Sequence, residues 1–372
     1  MTWDEDMLYA FRAYITPFII FIGITGNILL ITAFYKLHKR VKCRFNLYVI
    51  WIAVAHIFDL FFNGLLDDFI GKGLFYATNG RIKIKLDEIN SFSCKTLTML
   101  TDIGNFVAST LFTIFTADRL LTIYYPIKAR GDLFVKNSCW IIVINYLVST
   151  IIFSHVLVVY DLNKNYDKLD CSFANESSIA AQMNVYLVSI GSYSVPTVII
   201  LILNCFIAIK FRRVMMKQKT LCINQSSKAS NEMRRVVGHL STSTVFLLFS
   251  FPLATCNLLR LYAKNNGWRL SYSESNRIVI NFSKFFSSLK SLHYALEFWI
   301  YLIFMPNVRK SLMNIVCIRA ICIIFGSAKM KENLRNDKTQ RFYPTKQTVN
   351  SIITSDESDP RFTRYKKISG VI

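Results

Sequence analysis

Long apolar stretches separated by short charged segments are the dominant pattern of this chain. Seven of them are long enough for an α-helix to cross a hydrocarbon layer of about 30 Å, and they cover residues 14–35, 45–70, 95–124, 139–160, 183–209, 237–262 and 279–304. Internal helix repeats and mid-membrane Gly/Pro breaks, which would indicate a transporter or channel, are not visible in the sequence. The pattern predicts an all-α membrane protein, a seven-transmembrane helix bundle.

The segments between the stretches predict the orientation of the chain. The loop at 36–44 holds five basic residues and no acid, and the loop at 210–235 holds eight against Glu232 alone. Loops of this kind remain on the cytoplasmic side, so the acidic segment 1–13 is expected to be an extracellular N-terminus. The net charge of +21 comes from such loops and tails, so nucleic acid is not an expected partner.

Composition excludes several other classes. Of the 372 residues, 53% are hydrophobic, which is too apolar for a soluble domain. The nine cysteines form no CxxC pair, and no His/Cys cluster has metal-ligand spacing, so no metal is expected. Nucleotide-binding loops, HExxH and GxSxG are missing from the sequence, which predicts neither an enzyme nor a cofactor.

The chain after the last stretch divides into two parts. Residues 305–325 place Arg309 and Lys310 beside apolar residues such as Leu312, which predicts an eighth, interfacial helix on the surface of the membrane lipid. Cys317 and Cys322 there are candidate palmitoylation sites. Residues 326–372 are polar and rich in Ser and Thr, which predicts a disordered cytoplasmic tail.

The end of the third stretch carries the most informative motif, Asp118-Arg119. Cys94 lies about 25 residues upstream, which is roughly 37 Å of helix and one bilayer crossing. This resembles the third helix of rhodopsin-like (class A) G-protein-coupled receptors, with Leu120 in place of the tyrosine of their Asp-Arg-Tyr motif. Residues that match the family in the other helices are Asn27, Trp140, Pro196, Phe246 and Pro252, which are expected at helix contacts or in the polar core, and Tyr301, which is expected at the G-protein switch.

Departures from the family pattern lie in helices two, five, six and seven. His56 stands where the family has its sodium-binding aspartate, and Asp59, almost one turn on, would face another direction. Asn204 replaces a tyrosine and Ser250 a tryptophan. Glu297 replaces the asparagine and Phe298 the proline of the Asn-Pro-x-x-Tyr motif. The phenylalanine makes helix seven similar to that of invertebrate FMRFamide- and myosuppressin-type neuropeptide receptors.

Two of these departures are expected to compensate each other. The resemblance places His56 opposite Glu297, with His293 one turn above the glutamate. A carboxylate in the middle of a membrane is costly without a partner. We therefore expect a His56–Glu297 pair in place of a sodium site. Since histidine titrates near neutral pH, the pair could also make signalling sensitive to pH.

Two further expectations concern the two faces of the membrane. Outside, Cys94 and Cys171 are the only cysteines in this topology, and an oxidising environment favours a disulfide between them. Asn175 begins an Asn-Glu-Ser glycosylation sequon, whose occupancy stays open. Inside, the resemblance implies that Glu232 contacts Arg119 and holds helices three and six in the resting state. The alternative is that Glu232 is an ordinary surface charge.

The resemblance also constrains the ligand. The aspartate that binds amines in this family is Thr101 here, so an amine is not expected, and Lys290 is expected to lie off the register that faces the pocket. The plausible pocket residues are Thr101, Asp102, Asn105, Asn257, Arg260 and Ser287. Acidic residues near the rim, namely Asp67, Asp68, Asp170 and Glu176, suit a cationic peptide end.

The resemblance thus implies a plasma-membrane receptor for an extracellular peptide that signals through a heterotrimeric G protein. Its tail has Ser and Thr beside acidic residues, which is typical of a substrate for a receptor kinase and arrestin. Two alternatives remain at this point. One is a small-molecule chemosensory receptor, and the other is a decoy receptor that binds without signalling, which the changes at Asn204, Ser250 and Glu297 would suit.

Overall fold

Seven long helices form the bundle. A computed structural model describes residues 2–125, 132–165, 168–220, 227–265 and 274–313. In the order of the chain, the helices are α1 (Trp3–Arg40), α2 (Arg44–Ala77), α3 (Ser91–Tyr124), α4 (Asp132–Phe153), α5 (179–220), α6 (Ser227–Asn265), α7 (Glu274–Phe304) and the short α8 (Pro306–Met313). The predicted seven-helix fold is confirmed. The rest of the predicted eighth helix and the tail lie outside the described residues.

The described part of the chain contains six helices that are long and apolar enough to cross a membrane, α1 to α6. The seventh long helix, α7, differs because it carries Lys290, His293 and Glu297 on a face that is buried among the other helices. These three residues lower the mean hydropathy of α7. Polar side chains in a spanning helix almost always face the bundle interior and mark functional positions.

The N-terminal segment differs from the expectation. Instead of a separate stretch that ends at residue 13, it is helical from Trp3 and continuous with the first span. Asn281 on α7 donates a hydrogen bond to Asp4 at 2.6 Å, and Tyr76 on α2 donates one to Asp6 at 2.6 Å. These contacts hold the start of α1 against the ends of α2 and α7, so the helix begins before the apolar stretch does.

About two turns further along α1, Arg12 forms an ion pair with Asp68 on α2 at 2.8 Å and donates a hydrogen bond to Ser288 on α7 at 3.1 Å. Close backbone contact between α1 and α2 requires glycine here. A Cβ added to Gly73 would lie 2.5 Å from the carbonyl oxygen of Arg12. The three helices are therefore packed tightly at this end of the bundle.

Family-matching residues in the spans occupy different environments. Asn27 is buried, and its amide donates to the carbonyl of Tyr294 at 3.0 Å, which joins α1 to α7. Pro196 is buried in α5, directly after a wider π-helical stretch, Leu187–Ser194. Pro252 lies inside α6, where the missing N–H of proline weakens the helix. Trp140, expected to pack between helices, is instead 60% exposed on the outside of α4.

A hairpin connects α4 to α5. Strand β1 (Tyr160–Asn165) pairs antiparallel with β2 (Lys168–Phe173), and Leu162 lies opposite Cys171. Between α2 and α3, a single 3₁₀ turn covers Leu86–Glu88. Together with the ends of the helices, the hairpin and this turn form the surface at which α3 begins.

Candidate functional site

The predicted disulfide between Cys94 and Cys171 is confirmed, with Cα atoms 5.5 Å apart. It fastens the β1–β2 hairpin to the first turn of α3. A second tie lies beside it, because Ser91 at the start of α3 donates to the Asp161 carboxylate at 2.5 Å. This hydrogen bond, followed by the one from the backbone N–H of Leu162, holds the pKa of Asp161 below its ordinary value. The hairpin is thus fixed covalently and electrostatically.

Two predicted pocket residues, Asp102 on α3 and Arg260 on α6, lie around Tyr160 of the hairpin. The amide of Asn184 on α5 faces both Asp102 and Tyr160. Asn184 is buried, and its Oδ1 has no hydrogen-bond partner within the described residues. Sequence reasoning missed Asn184 and Tyr160, although an asparagine inside an apolar stretch is a signal that could have found the first. Acidic, basic and neutral polar groups converge here under the hairpin.

Two further predicted pocket residues lie along the helices beside this cluster. Ser283 on α7 donates to the side-chain oxygen of Asn257 on α6 at 2.8 Å, and the Asn257 side chain is buried. Ser287 faces Tyr193 on α5. Asn257 and Ser287 therefore lie at contacts between helices, so a ligand would reach them only by replacing an existing contact.

The Lys290 side chain points in a direction that differs from the one expected from the sequence. It was expected to point away from the pocket, but it is 2% exposed, and its Nζ donates to Asn105 Oδ1 at 3.3 Å and to Ser109 Oγ at 3.4 Å on α3. The ammonium also lies 5.2 Å from the ring centroid of Tyr193. A long, flexible lysine stem can reach a neighbouring helix from a position whose Cα faces elsewhere. Asn105, predicted to line the pocket, is instead buried as an acceptor for this cation.

Thr101 lines a separate cavity of about 140 Å³ between α2, α3 and the 3₁₀ turn. The other residues in its wall are Phe62, Leu66, Asp67, Leu86, Asp87, Leu97 and Thr98. Of the four acids expected at the rim, Asp67 belongs to this cavity. Asp68 forms an ion pair with Arg12, whereas Asp170 and Glu176 are exposed. The rim acids therefore do not act as one group.

In the middle of the bundle, the structure brings together the two residues that were predicted to pair. His56 Nδ1 on α2 lies 2.9 Å from Glu297 Oε2 on α7, and both side chains are at most 1% exposed. The ring of Tyr294 stacks on His56 with a centroid distance of 4.1 Å, and the His293 ring lies 5.5 Å away. Asp59, one turn along α2, is also buried and faces Lys290. A polar layer therefore crosses the bundle.

At the opposite end of α3, Asp118 lies between two arginines. Arg44 at the start of α2 contacts it at 2.6 Å, and Arg119 pairs with its other carboxylate oxygen. The Arg119 guanidinium is buried over the rings of Phe45 and Phe115, 5.0 Å and 5.3 Å from their centroids. Apolar packing and a neighbouring carboxylate thus hold this arginine inside the bundle.

The expected contact between Arg119 and Glu232 is not formed, although both residues are in the described part of the chain. Glu232 pairs with Arg235 on the same helix instead. Residues three apart on a helix face each other, so Arg235 is the nearer cation, while Arg119 already has Asp118. Tyr301 on α7 is fully buried beside this region, in ring contact with Phe34 and Phe45. Phe246 on α6 packs on Phe112 with a centroid distance of 5.2 Å.

The modification sites predicted from the sequence fall in two places. Asn175 is exposed just after β2, and its side-chain oxygen accepts hydrogen bonds from the backbone and the hydroxyl of Ser177. Its sequon is therefore accessible on the surface. Cys317 and Cys322 lie outside the described residues.

Comparison with known families identifies the class of protein that has this arrangement. A family model described as "7 transmembrane receptor (rhodopsin family)" matches residues 26–301, which span most of the chain and both the disulfide and the Asp118–Arg119 pair. A comparison with curated proteins found no match. The chain therefore belongs to the rhodopsin family of seven-transmembrane receptors.

Proposed function

We propose that this receptor lies in the plasma membrane with its N-terminus outside, binds an extracellular peptide and signals through heterotrimeric G proteins. The part of this proposal that concerns the ligand rests on one observation, the polar cluster under the disulfide-anchored hairpin. Asp102, Asn184 and Arg260 come from three different helices and can donate and accept hydrogen bonds together with Tyr160. Peptides present backbone amides and charged ends, which a cluster of mixed polarity suits.

The signalling half rests on Asp118 and Arg119. The arginine is buried, and the contacts of Asp118 with Arg44 and Arg119 link the start of α2 to the end of α3. Ligand binding would favour a minor conformation in which α6 moves outward and Arg119 is released toward a G protein. The basic loops at 36–44 and 210–235 would then face this partner and the membrane lipid. The tail, with its Ser and Thr residues, would be modified by a receptor kinase and bound by arrestin.

A peptide-library screen tests the proposal. Cells that express the receptor with a promiscuous G protein are exposed to amidated and free-acid peptides, and the parent is compared with Arg119→Ala at equal surface expression. We expect at least one peptide to activate the parent and Arg119→Ala to abolish the response. Asp102→Asn should weaken the response to that peptide, whereas Asp170→Asn, which alters an exposed carboxylate, should leave it unchanged.

A decoy receptor is the second candidate, and one contact favours it. Where the family has a tyrosine, Asn204 on α5 accepts a hydrogen bond from Ser243 on α6 at 3.0 Å, a bond that outward movement of α6 would break. Peptide binding without a G-protein response would support this function. Silence toward every peptide from a well-expressed receptor would instead favour a small-molecule chemosensory receptor. Both results would contradict the peptide-activated function.

A further inference from the structure

The cavity beside Thr101 has properties that distinguish it from the polar cluster under the hairpin. Its walls come from α2, α3 and the 3₁₀ turn, and the hairpin cluster contributes none of them. Its volume is about 140 Å³. Since a water molecule takes up about 30 Å³ of liquid volume, the cavity has room for a side-chain head group on a short aliphatic stem.

The charged side chains in the cavity wall are both acidic. Two carboxylates, Asp67 and Asp87, line it. Lys72 neutralises Asp67 at 2.5 Å. Within the described residues, no basic side chain pairs with Asp87. Its neighbour Glu88, which does not line the cavity, forms ion pairs with both Lys83 and Lys85. Burial, followed by repulsion from Asp67, raises the pKa of Asp87 although Lys85 and Lys72 act in the opposite direction, so a further cation in the cavity would stabilise the charged carboxylate.

The remaining wall suits the stem of a basic side chain. Phe62, Leu66, Leu86 and Leu97 provide apolar contacts for methylene groups. Thr98 and Thr101 add hydroxyl oxygens that can accept hydrogen bonds from an N–H donor. A metal ion does not fit this wall, because no group of three or more His, Cys, Asp or Glu side chains among the described residues could hold one.

We propose that this cavity, here named the acidic side pocket, binds one basic group of the ligand, either a guanidinium or a primary ammonium on a short aliphatic stem. Asp87 is the principal partner, and Asp67 shares its charge between the ligand and Lys72. This inference rests on the proposed function, since it specifies one part of the ligand for that receptor. It also makes Asp87 a determinant of ligand specificity.

The test uses the full-length receptor in lipid nanodiscs and two matched probes. n-Butylguanidinium has the charged head and the stem, and n-butylurea has the same size and hydrogen-bonding outline without the charge. Binding is measured by saturation-transfer NMR titration. We expect the guanidinium to bind and the urea to bind at least about tenfold more weakly, because hydrogen bonds to charged groups are the stronger ones.

Three variants locate the binding. Asp87→Asn should weaken the guanidinium at least about tenfold, and Leu97→Trp, which fills the cavity without a change of charge, should abolish binding. Asp170→Asn is the control, since it removes an exposed carboxylate outside the cavity and should have no effect. Equal binding of both probes, or guanidinium binding that survives both Asp87→Asn and Leu97→Trp, would overturn the acidic side pocket.

The outcome is separable from that of the peptide screen. If a peptide activates the receptor but the guanidinium probe does not bind, the acidic side pocket is wrong and the proposed function stands. If the probe binds as expected and no peptide activates the receptor, the acidic side pocket stands and the proposed function is wrong. If both succeed, replacing the basic residue of the active peptide by a neutral one should reduce its potency in the parent but not in Asp87→Asn.

Discussion

His56 and Glu297 face each other across the centre of the bundle, with Nδ1 and Oε2 2.9 Å apart and both side chains buried. The pair joins α2 to α7 at the point where Asn27 also ties α1 to α7. Both side chains are at most 1% exposed, so their polar groups are compensated inside the bundle rather than by bulk solvent. A buried pair of this kind stabilises the fold far less than its disruption destabilises it.

The first prediction concerns this pair. His56→Asp should lower surface expression and thermal stability, because a second carboxylate would then face Glu297 directly within the buried layer. The double variant His56→Asp with Glu297→Asn should restore both properties, since it leaves a single carboxylate, now on α2, facing a neutral amide on α7. Signalling of the parent should be insensitive to sodium ions. The measurement is surface expression and Tm for the four members of the cycle, and additive effects with no coupling would contradict the pairing.

The second prediction concerns Arg12 and Asp68, whose side chains are each 5% exposed. Arg12→Met should destabilise the receptor by about 3–5 kcal/mol, because it leaves a buried carboxylate without its cation. Adding Asp68→Leu should recover most of that loss. Lys72→Met is the matched control. Its ion pair with Asp67 is about one third exposed, and such pairs contribute at most about 1 kcal/mol. Thermal unfolding of the purified variants decides the comparison.

Much of the fold follows from the sequence, and the reason is physical. A span needs a minimum length of apolar residues, so the seven stretches were visible before any contact was known. The same rule fails at the start of α1. The helix there begins at Trp3 because polar contacts of Asp4 and Asp6 hold it, and hydropathy does not register such contacts.

The site was less predictable, because it depends on side-chain direction. The pairing of His56 with Glu297 was expected, because departures from a family pattern at facing positions signal compensation. Lys290 was misjudged, since counting residues along α7 says nothing of where a long stem ends. Glu232 was misjudged because a position matched to the family pattern does not reveal the nearer Arg235. Asp87 was overlooked because it lies in a loop, where no periodicity indicates which side chains face inward.

The third prediction concerns pH and the hairpin. Asp161 has a lowered pKa because Ser91 donates to it. The stabilisation is therefore complete above the unfolded value of about 3.9 and is lost as the pH falls through the lower folded value. We expect the Tm difference between the parent and Ser91→Ala to be constant from about pH 7 to 5 and to shrink below about pH 4. A difference that persists unchanged at about pH 3 would mean that Ser91 acts through packing alone.

The fourth prediction separates the two arrangements considered for Arg119. Asp118 holds Arg119 and Arg44, whereas Glu232 contacts Arg235. If the resting state depends on the contacts seen here, Asp118→Asn should raise basal G-protein activity severalfold, because Arg119 then loses its only carboxylate among the described residues. Glu232→Gln removes the same charge nearby and should leave basal activity within about twofold of the parent, as expected for a half-exposed surface pair.

The measurement is ligand-free G-protein activation at matched surface expression, with Arg235→Gln as a further control for loss of the Glu232 pair. Asp118→Asn combined with Arg119→Ala should be silent, because the released arginine is the group proposed to meet the G protein. A rise in basal activity with Glu232→Gln, together with no change for Asp118→Asn, would show that Glu232 on α6 rather than Asp118 restrains Arg119. The contact between Arg44 and Asp118 would then be a structural tie between α2 and α3 with no part in switching.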